Sequence, residues 1–534
     1  MKKSFFKDIK SDVPAGLVVF FVALPLCLAI AQVSTGKTEF LFSGIIAGII
    51  GGIVVGFLSG SSLGVSGPAA GLVVIVSDGM NKLGTMADGS YDPMHGFKGL
   101  LLAICIAGLI QLIAGFLKAG IIGNYFPSSV IKGMLAAIGI TIILKELPHA
   151  LGYDKDYLGD MSFDQPDGHN TFTEIYYALI YNSPAAIVIS ILSVILLMVS
   201  EHKKVKNWAI FKYFPAALFV VIAGVLFNLY GSKAFNVPAL DGEHLVQLPV
   251  AGGISEFFSF FTLPDFTRIS DPRIWSIGLS IAMVASIETL LSLEATDKLD
   301  PLKRSSSGNK ELKAQGVGNL LSGLVGGLPI TQVIVRSSAN INSGGKSKLS
   351  TIIHGAVLLI AVIFIPAYLN YIPLATLAAI LLLIGYKLAK VSLFKSMYKL
   401  GPSQFIPFVV TIVAILATDL LKGIAVGMLI AFFIIIRENY RNTFKLLKDD
   451  KDSSSAYRME LSDMVTFINK GILLEAFNSY PDGAYLIIDG SKTRHFDHDV
   501  LEVIHEFAEH KAALRNIQVT LIDIPKLESV APAH

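Results

Sequence analysis

Two short stretches of a very apolar chain carry residue types that suit an anion. One opens on Gly67-Pro68-Ala69-Ala70 and the other on Leu328-Pro329-Ile330-Thr331. They begin segments 65–77 and 330–341, both too short to cross a bilayer. Proline favours the first turn of a helix, where its missing N–H would be unpaired anyway. Two such half-helices facing each other would aim free amides and positive dipole ends at one spot, a ready anion site. The donors would be the backbone N–H groups of Ala69, Ala70 and Gly71, and those from Thr331 to Val335. Ser66, Thr331 and Gln332 could add side-chain help, although such groups also serve ordinary helix–helix hydrogen bonds.

Two charged residues lie where charge is expensive. Arg336 falls past the first turn of the second short segment. It would add positive potential to an anion site, unless its side chain snorkels to the interface. Glu288 sits inside Ile287-Glu288-Thr289-Leu290-Leu291-Ser292. It could hold a proton, or with Ser292 one turn along on the same face help to ligate Na⁺. Either would couple a cation to anion entry; the plainer reading is a carboxylate paired to a neighbouring helix. Glu294 reads as solvated. No cofactor beyond H⁺ or Na⁺ is implied.

Other constellations carry less. His495, Asp497, His498 and Asp499 are too nearly consecutive to face one ion, so a solvated loop is expected and no metal site. No Walker motif, dinucleotide fingerprint or nucleophile elbow is present, which leaves ATP-driven transport and enzyme chemistry unsupported.

The elements that must position these residues follow from composition. The 534-residue chain is 53% hydrophobic and 16% charged. Residues 1–440 hold 58 charged side chains and residues 441–534 hold 26, about 13% and 28%. A membrane body followed by a soluble domain is implied, which excludes secreted, fibrous and disordered classes. Net charge is +2, too balanced to suggest nucleic acid. Cys27 and Cys105 both lie in apolar runs and offer no disulfide framework. No cleavable signal is evident after Met1-Lys2-Lys3.

Crossing about 30 Å of hydrocarbon takes roughly 20 apolar residues. Fourteen segments qualify as candidates, near 13–32, 40–58, 65–77, 97–117, 127–145, 184–200, 211–230, 274–294, 312–328, 330–341, 350–369, 372–389, 404–421 and 423–438. The two short ones are each third in a group of seven. Lys2, Lys3, Lys7 and Lys10 place the N-terminus inside by the positive-inside rule. Lysine-bearing loops after segments six, eight and twelve then fall inside too. Loop 146–182, with seven carboxylates against Lys155, falls outside. An even count returns the C-terminus to the cytoplasm. Seven segments per group make the halves an inverted repeat, a plan of secondary transporters with the site where short helices meet.

Residues 441–454 read as a polar linker and 455–534 as a small α/β domain. Its signals are a strand at 484–489, a helix near 498–514 and a strand at 517–522.

The chain resembles the SulP (sulfate permease) family of inorganic anion transporters with a C-terminal STAS domain. The resemblance rests on Asp12-Val13-Pro14-Ala15-Gly16-Leu17, Ala23-Leu24-Pro25 and Ser66-Gly67-Pro68-Ala69-Ala70 in the first half. In the second half it rests on Ser286 to Ser292, Glu311 to Asn319, Gly326-Gly327-Leu328-Pro329-Ile330-Thr331, Arg336-Ser337 and Gly344-Gly345. It implies an α-helical polytopic membrane protein, a seven-plus-seven inverted repeat with core and gate domains, dimeric and moving by an elevator-like shift. By that resemblance Ala69, Ala70, Ile334, Val335 and Arg336 surround the substrate. Sodium-coupled bicarbonate members carry Asp where this chain has Glu288, which favours H⁺ or no coupling. Leu26 and Ile334-Val335 replace polar residues of several relatives, so recognition would rest more on backbone amides. Phe496-Asp497-His498-Asp499 resembles the loop that carries a phosphorylatable Ser or Thr in bacterial anti-sigma antagonists, and His498 and Asp499 argue against that switch.

The expectation is secondary active transport of sulfate or bicarbonate across a bacterial plasma membrane by a homodimer. A nucleobase permease is similar in fold but usually lacks a STAS domain. A membrane-anchored STAS interaction protein and an anion channel are the remaining alternatives.

Overall fold

Each apolar segment read from the sequence holds a helix in the computed structural model, which describes residues 7–86, 89–155, 170–202, 205, 215–231, 237–248, 258–449 and 456–527. In the first half these are α1 (Ile9–Thr35), α2 (Leu41–Leu58), α3 (Val73–Gly84), α4 (Pro93–Phe116), α5 (Ser128–Leu151), α6 (Pro184–Glu201) and α7 (Ala216–Leu226). In the second they are α8 (Pro272–Leu299), α9 (Gly308–Val325), α10 (Ile334–Asn342), α11 (Leu349–Phe364), α12 (Leu374–Leu388), α13 (Pro402–Ala417) and α14 (Leu420–Arg441). Two three-residue strands, β1 (Ser66–Pro68) and β2 (Ile330–Gln332), precede the short helices α3 and α10. Among the described residues six helical runs, including α1, α2, α4, α8 and α14, are long and apolar enough to cross a membrane alone. The protein is a multi-pass membrane protein.

Contacts split the chain into two units, Met1–Met428 and Leu429–His534, and the division falls within α14. In the first unit, α4 packs on α3, α8 and α9, and α1 packs on α2, α10 and α11. A second group joins α5 to α12 and α13, with α6 against α12 and α7. Without a hydrophobic drive between helices in lipid, close backbone approach by small residues favours such packing. Gly139 on α5 and Gly385 on α12 meet backbone to backbone. A Cβ on either would lie 2.6 or 2.7 Å from the other's carbonyl oxygen.

Residues 240–248 form a strap over the second group. Asn228 pairs with both backbone groups of Leu240, accepting at 2.7 Å and donating at 2.9 Å. Asn370 does the same for Leu248, at 2.7 and 3.1 Å. Between them His244 Nδ1 meets Asp154 Oδ2 at 2.6 Å, while His149 Nδ1 at the end of α5 meets Oδ1 at 2.6 Å. Asp154 is therefore a buried carboxylate held by one imidazole on each oxygen.

The second unit is a four-stranded sheet in the order β3 (Phe444–Asp449), β4 (Ala456–Leu461), β5 (Tyr485–Asp489), β6 (Gln518–Ile522). The first pair is antiparallel and the others parallel. Helices Lys470–Ser479 and His498–Glu506 cover it, with Phe477 and Phe507 stacked at 4.3 Å over Leu486 and Ile488. The expected strands at 484–489 and 517–522 are present. The stretch 441–454 is not wholly a linker: β3 pairs along its full length with β4, and the lysines among its apolar residues hid it in the sequence. Asp497 serves as a helix cap, accepting from Asp499 N at 3.3 Å and Phe467 N at 3.1 Å.

The Asp154 clamp has a definite pH range. Burial opposes ionisation of Asp154, but the bonds from His149 and His244 outweigh it and hold the carboxyl below its ordinary range. The Asp154 bond raises the pKa of His244, opposed by burial and helped by Glu243 and Asp241. The Asp154 contribution is present above the ordinary carboxyl value and is lost as pH falls through the lowered one. The His244 contribution is complete below the ordinary imidazole value and is lost as pH rises through the raised one. Between about pH 4 and 6.5 both hold. Asp154→Asn is expected to destabilise the solubilised protein by about 3 kcal/mol. Thermal melts should show the gap from wild type widest in that window and narrower in more alkaline buffer.

Candidate functional site

The site is built on the pairing of β1 with β2. They run antiparallel with Ser66 opposite Gln332, Gly67 opposite Thr331 and Pro68 opposite Ile330. Val333 N donates to Val65 O at 2.9 Å, so alternation makes Gly67–Thr331 the next hydrogen-bonded pair. Pro68 and Ile330 then form a pair whose backbone groups point away from each other, and the missing proline N–H costs no ladder bond. The outward groups of Ile330 go to Asn319 on α9: Ile330 N donates to Oδ1 at 2.5 Å, and Nδ2 donates to Ile330 O at 2.9 Å. Gln332 N donates to Thr289 Oγ1 on α8 at 3.2 Å.

This arrangement corrects the proline-led helix starts. Pro68 lies in β1 and Pro329 just ahead of β2, each before its helix. The first half-helix starts with a 3-10 turn at Ala70–Leu72, after the extended Ala69, and the second starts at Ile334 after Val333. Ser337 N is the first in α10 to reach back to a carbonyl, that of Val333. The amides of Ile334, Val335 and Arg336 thus lack an intrahelical acceptor, as do those of Ala70 and Gly71 at the other start. The amides of Thr331 and Gln332 are committed to the strand pair and to Thr289.

The side chains sort in the same way. Ser66 Oγ accepts from Gln315 Nε2 at 2.7 Å, and Gln332 Nε2 donates to Thr296 Oγ1 at 3.0 Å. Both brace the strands. Thr331 Oγ1 is buried with no hydrogen-bond partner among the described residues. Sequence reasoning missed this bracing role of α9. Glu311, Gln315 and Asn319 lie four residues apart, all fully buried, and each grips a different part of the crossing. Glu311 accepts from Ser59 Oγ at 2.5 Å and Gly60 N at 2.8 Å, ahead of β1. The spacing was visible as a polar stripe on an apolar helix.

Arg336 does not snorkel; it is 0% exposed. Nη2 reaches Pro68 O at 3.4 Å, and Nε and Nη1 have no hydrogen-bond partner. Among the described residues no carboxylate pairs with it. Its neighbours are Cys27 on α1 and His354 on α11, whose ring nitrogens are also unbonded. A Cβ on Gly67 would overlap Arg336 Nη1. Glu288 on α8 is buried and its Oε2 has no hydrogen-bond partner among the described residues. A Cβ on Gly71 would lie 2.8 Å from that oxygen, so the carboxylate faces the first half-helix at its start. Ser292 is buried one turn further, and its carbonyl accepts from Thr296 Oγ1 at 2.6 Å. The arrangement can offer an anion five amides and a fixed positive charge, with one carboxylate beside them.

The sulfate permease family profile matches residues 9–411. The chain belongs to the sulfate permease family. Among curated members it is 27% identical over 434 residues to the bicarbonate transporter BicA of Picosynechococcus, covering 81% of this chain and 71% of BicA. It is 28% identical over 465 residues to YvdB of Bacillus subtilis, covering 85% and 80%, whose name gives sulfate as a provisional substrate. The transmembrane domain of a cyanobacterial BicA shares its fold with a TM-score of 0.53 and 24% identity, over 80% of this chain and 99% of that one. SLC26A9 shares it with a TM-score of 0.65 and 17% identity, over 98% and 86%. The C-terminal unit, a small sheet with helices, fits the STAS domain.

Replacing Gly67 by Ala is expected to push the guanidinium aside, and Gly71→Ala to displace the Glu288 carboxylate. Gly67→Ala should raise the KM for anion uptake about tenfold, equivalent to about 1.4 kcal/mol of anion binding. Surface labelling of both variants checks that they reach the membrane.

Proposed function

We propose that the protein is a secondary active transporter of a small inorganic anion, sulfate or bicarbonate, held between the starts of the two half-helices. The observation that carries this reading is Arg336, a fully buried cation with two nitrogens unpartnered and no carboxylate bonded to it among the described residues. A buried charge without a partner is costly enough to mark a functional position. Here it belongs to the second half-helix and reaches Gly67 and Pro68, just ahead of the first. Weak, mostly backbone recognition suits a cargo that must leave as readily as it enters.

Glu288 is the coupling group in this reading, taking H⁺ or Na⁺ with help from Ser292. The protein works as a homodimer in a bacterial plasma membrane with both termini in the cytoplasm. At the far end of α10 a cleft of about 270 Å³ lined by Pro14, Val18, Asn342, Gly344, Ile384 and Lys387 supports entry from that side. It adjoins a second recess bordered by Lys7, Lys10 and Lys346 against one carboxylate, Asp8, whose net positive charge would draw anions inward.

The test is flux into proteoliposomes with sulfate, bicarbonate, chloride or fumarate under imposed pH or Na⁺ gradients. Wild type should accumulate sulfate or bicarbonate against its gradient. Arg336→Gln should lower uptake by about two orders of magnitude, the effect of losing a charge-assisted partner of about 3 kcal/mol. Glu288→Gln should abolish the dependence on the cation gradient. Uracil uptake without sulfate or bicarbonate uptake would overturn the reading, as would flux that never runs uphill. Full flux after deletion of residues 455–534 would set aside a membrane anchor for a working STAS domain.

A further inference from the structure

Gln111 lies in the apolar C-terminal half of α4 and is 0% exposed. An amide buried at that depth must find partners inside the protein. Its Oε1 accepts from Asn319 Nδ2 on α9 at 2.6 Å, and its Nε2 donates to Ser286 Oγ on α8 at 3.3 Å. Ser286 Oγ in turn donates to Ala282 O at 2.6 Å. Asn319 is also the residue that takes both outward backbone groups of Ile330. A directed chain of hydrogen bonds therefore runs from β2 through Asn319 and Gln111 to Ser286. It joins the strand ahead of α10 to the helix that bears Glu288.

The geometry gives the chain a purpose. Ser286 and Glu288 are two residues apart, about 200° around a helix, so they leave α8 on opposite sides. Ser286 is held from α4 at the back, while Glu288 faces Gly71 at the front. Gripping the back of α8 fixes its rotation, and rotation decides where the carboxylate points. Thr289 is a second and direct tie between α8 and β2, through Gln332 N. Losing Gln111 would therefore loosen α8 without releasing it.

We infer that Gln111 is a positioning residue that transmits the placement of β2 to α8 and keeps Glu288 against the anion end of the half-helices. The inference rests on the proposed coupling role of Glu288. Its consequence is specific: breaking the chain separates cation-driven accumulation from simple anion exchange.

The test compares two readouts in proteoliposomes with radiolabelled sulfate and, in parallel, bicarbonate. One is exchange with equal anion on both sides and no cation gradient. The other is accumulation under an imposed pH or Na⁺ gradient. Gln111→Leu and Ser286→Ala should each keep exchange close to wild type and lower accumulation about tenfold, a coupling loss of about 1.4 kcal/mol. The double variant should lose no more than either single one, because both cut the same chain. If Gln111→Leu is not recovered folded, Ser286→Ala alone decides. Exchange and accumulation falling in equal proportion would overturn the inference, and so would undiminished accumulation. Glu288→Gln, run beside them, keeps the two readings apart. If it retains gradient dependence, or wild type shows none, the coupling reading itself fails. If it abolishes that dependence while the Gln111 and Ser286 variants change nothing, only the positioning role fails.

Discussion

Extended backbone at membrane depth has no water to satisfy it, and that constraint governs everything around β1 and β2. Each strand is three residues long and pairs on one side only. Side chains from neighbouring helices meet outward backbone groups of both strands, Arg336 reaching Pro68 O on β1. Asn319 meets Ile330 and Thr289 meets Gln332, while Gln315 steadies Ser66. Supplying those partners determines what faces inward on α8 and α9. It also determines where the half-helices begin, because each helix starts as soon as the pairing stops. The free amides at Ala70, Gly71 and Ile334 to Arg336 are what the crossing leaves over.

Much of this was legible in the sequence. Apolar runs of bilayer length declared the helices, and the two short segments stood out because they interrupt the pattern at matching places. Arg336 and Glu288 were conspicuous because an ionisable residue in such surroundings is rare. The strands were not legible. Three residues such as Ser66-Gly67-Pro68 cannot show a period of two, and proline there signals a helix start as strongly as a strand that needs no donor. The expectation that Pro68 and Pro329 lie in first turns failed for that reason. Nor did the sequence show that Ser66 Oγ would accept from Gln315 and Gln332 Nε2 donate to Thr296, since both partners lie on helices far away in the chain.

A different limit applied to Gln111 and Asn319. Each is an unremarkable amide in the sequence, and their importance comes from three-dimensional adjacency of helices far apart in the chain. The strap residues Asn228 and Asn370 repeat the Asn319 device, with a side-chain amide standing in for a neighbouring strand. Asparagine can do this because its carbonyl and amino groups match the spacing of a peptide's own N–H and C=O. The same logic made β3 hard to see: its apolar residues alternate too weakly with lysines to outweigh the polar run that follows.

The lone guanidinium under the crossing also bears on membrane voltage. On the proposed reading Arg336 supplies one positive charge and an ionised Glu288 one negative, so the empty site is neutral overall. A monovalent anion would bring it to minus one, and one cation on Glu288 would restore neutrality. Each uncompensated charge carried fully across costs or gains about 2.3 kcal/mol per 100 mV. Bicarbonate with one cation would then move without regard to the membrane potential. A doubly charged sulfate with the same single cation would be driven outward by an inside-negative potential. On that reading the charge of the cargo together with its single cation decides whether transport responds to the membrane potential.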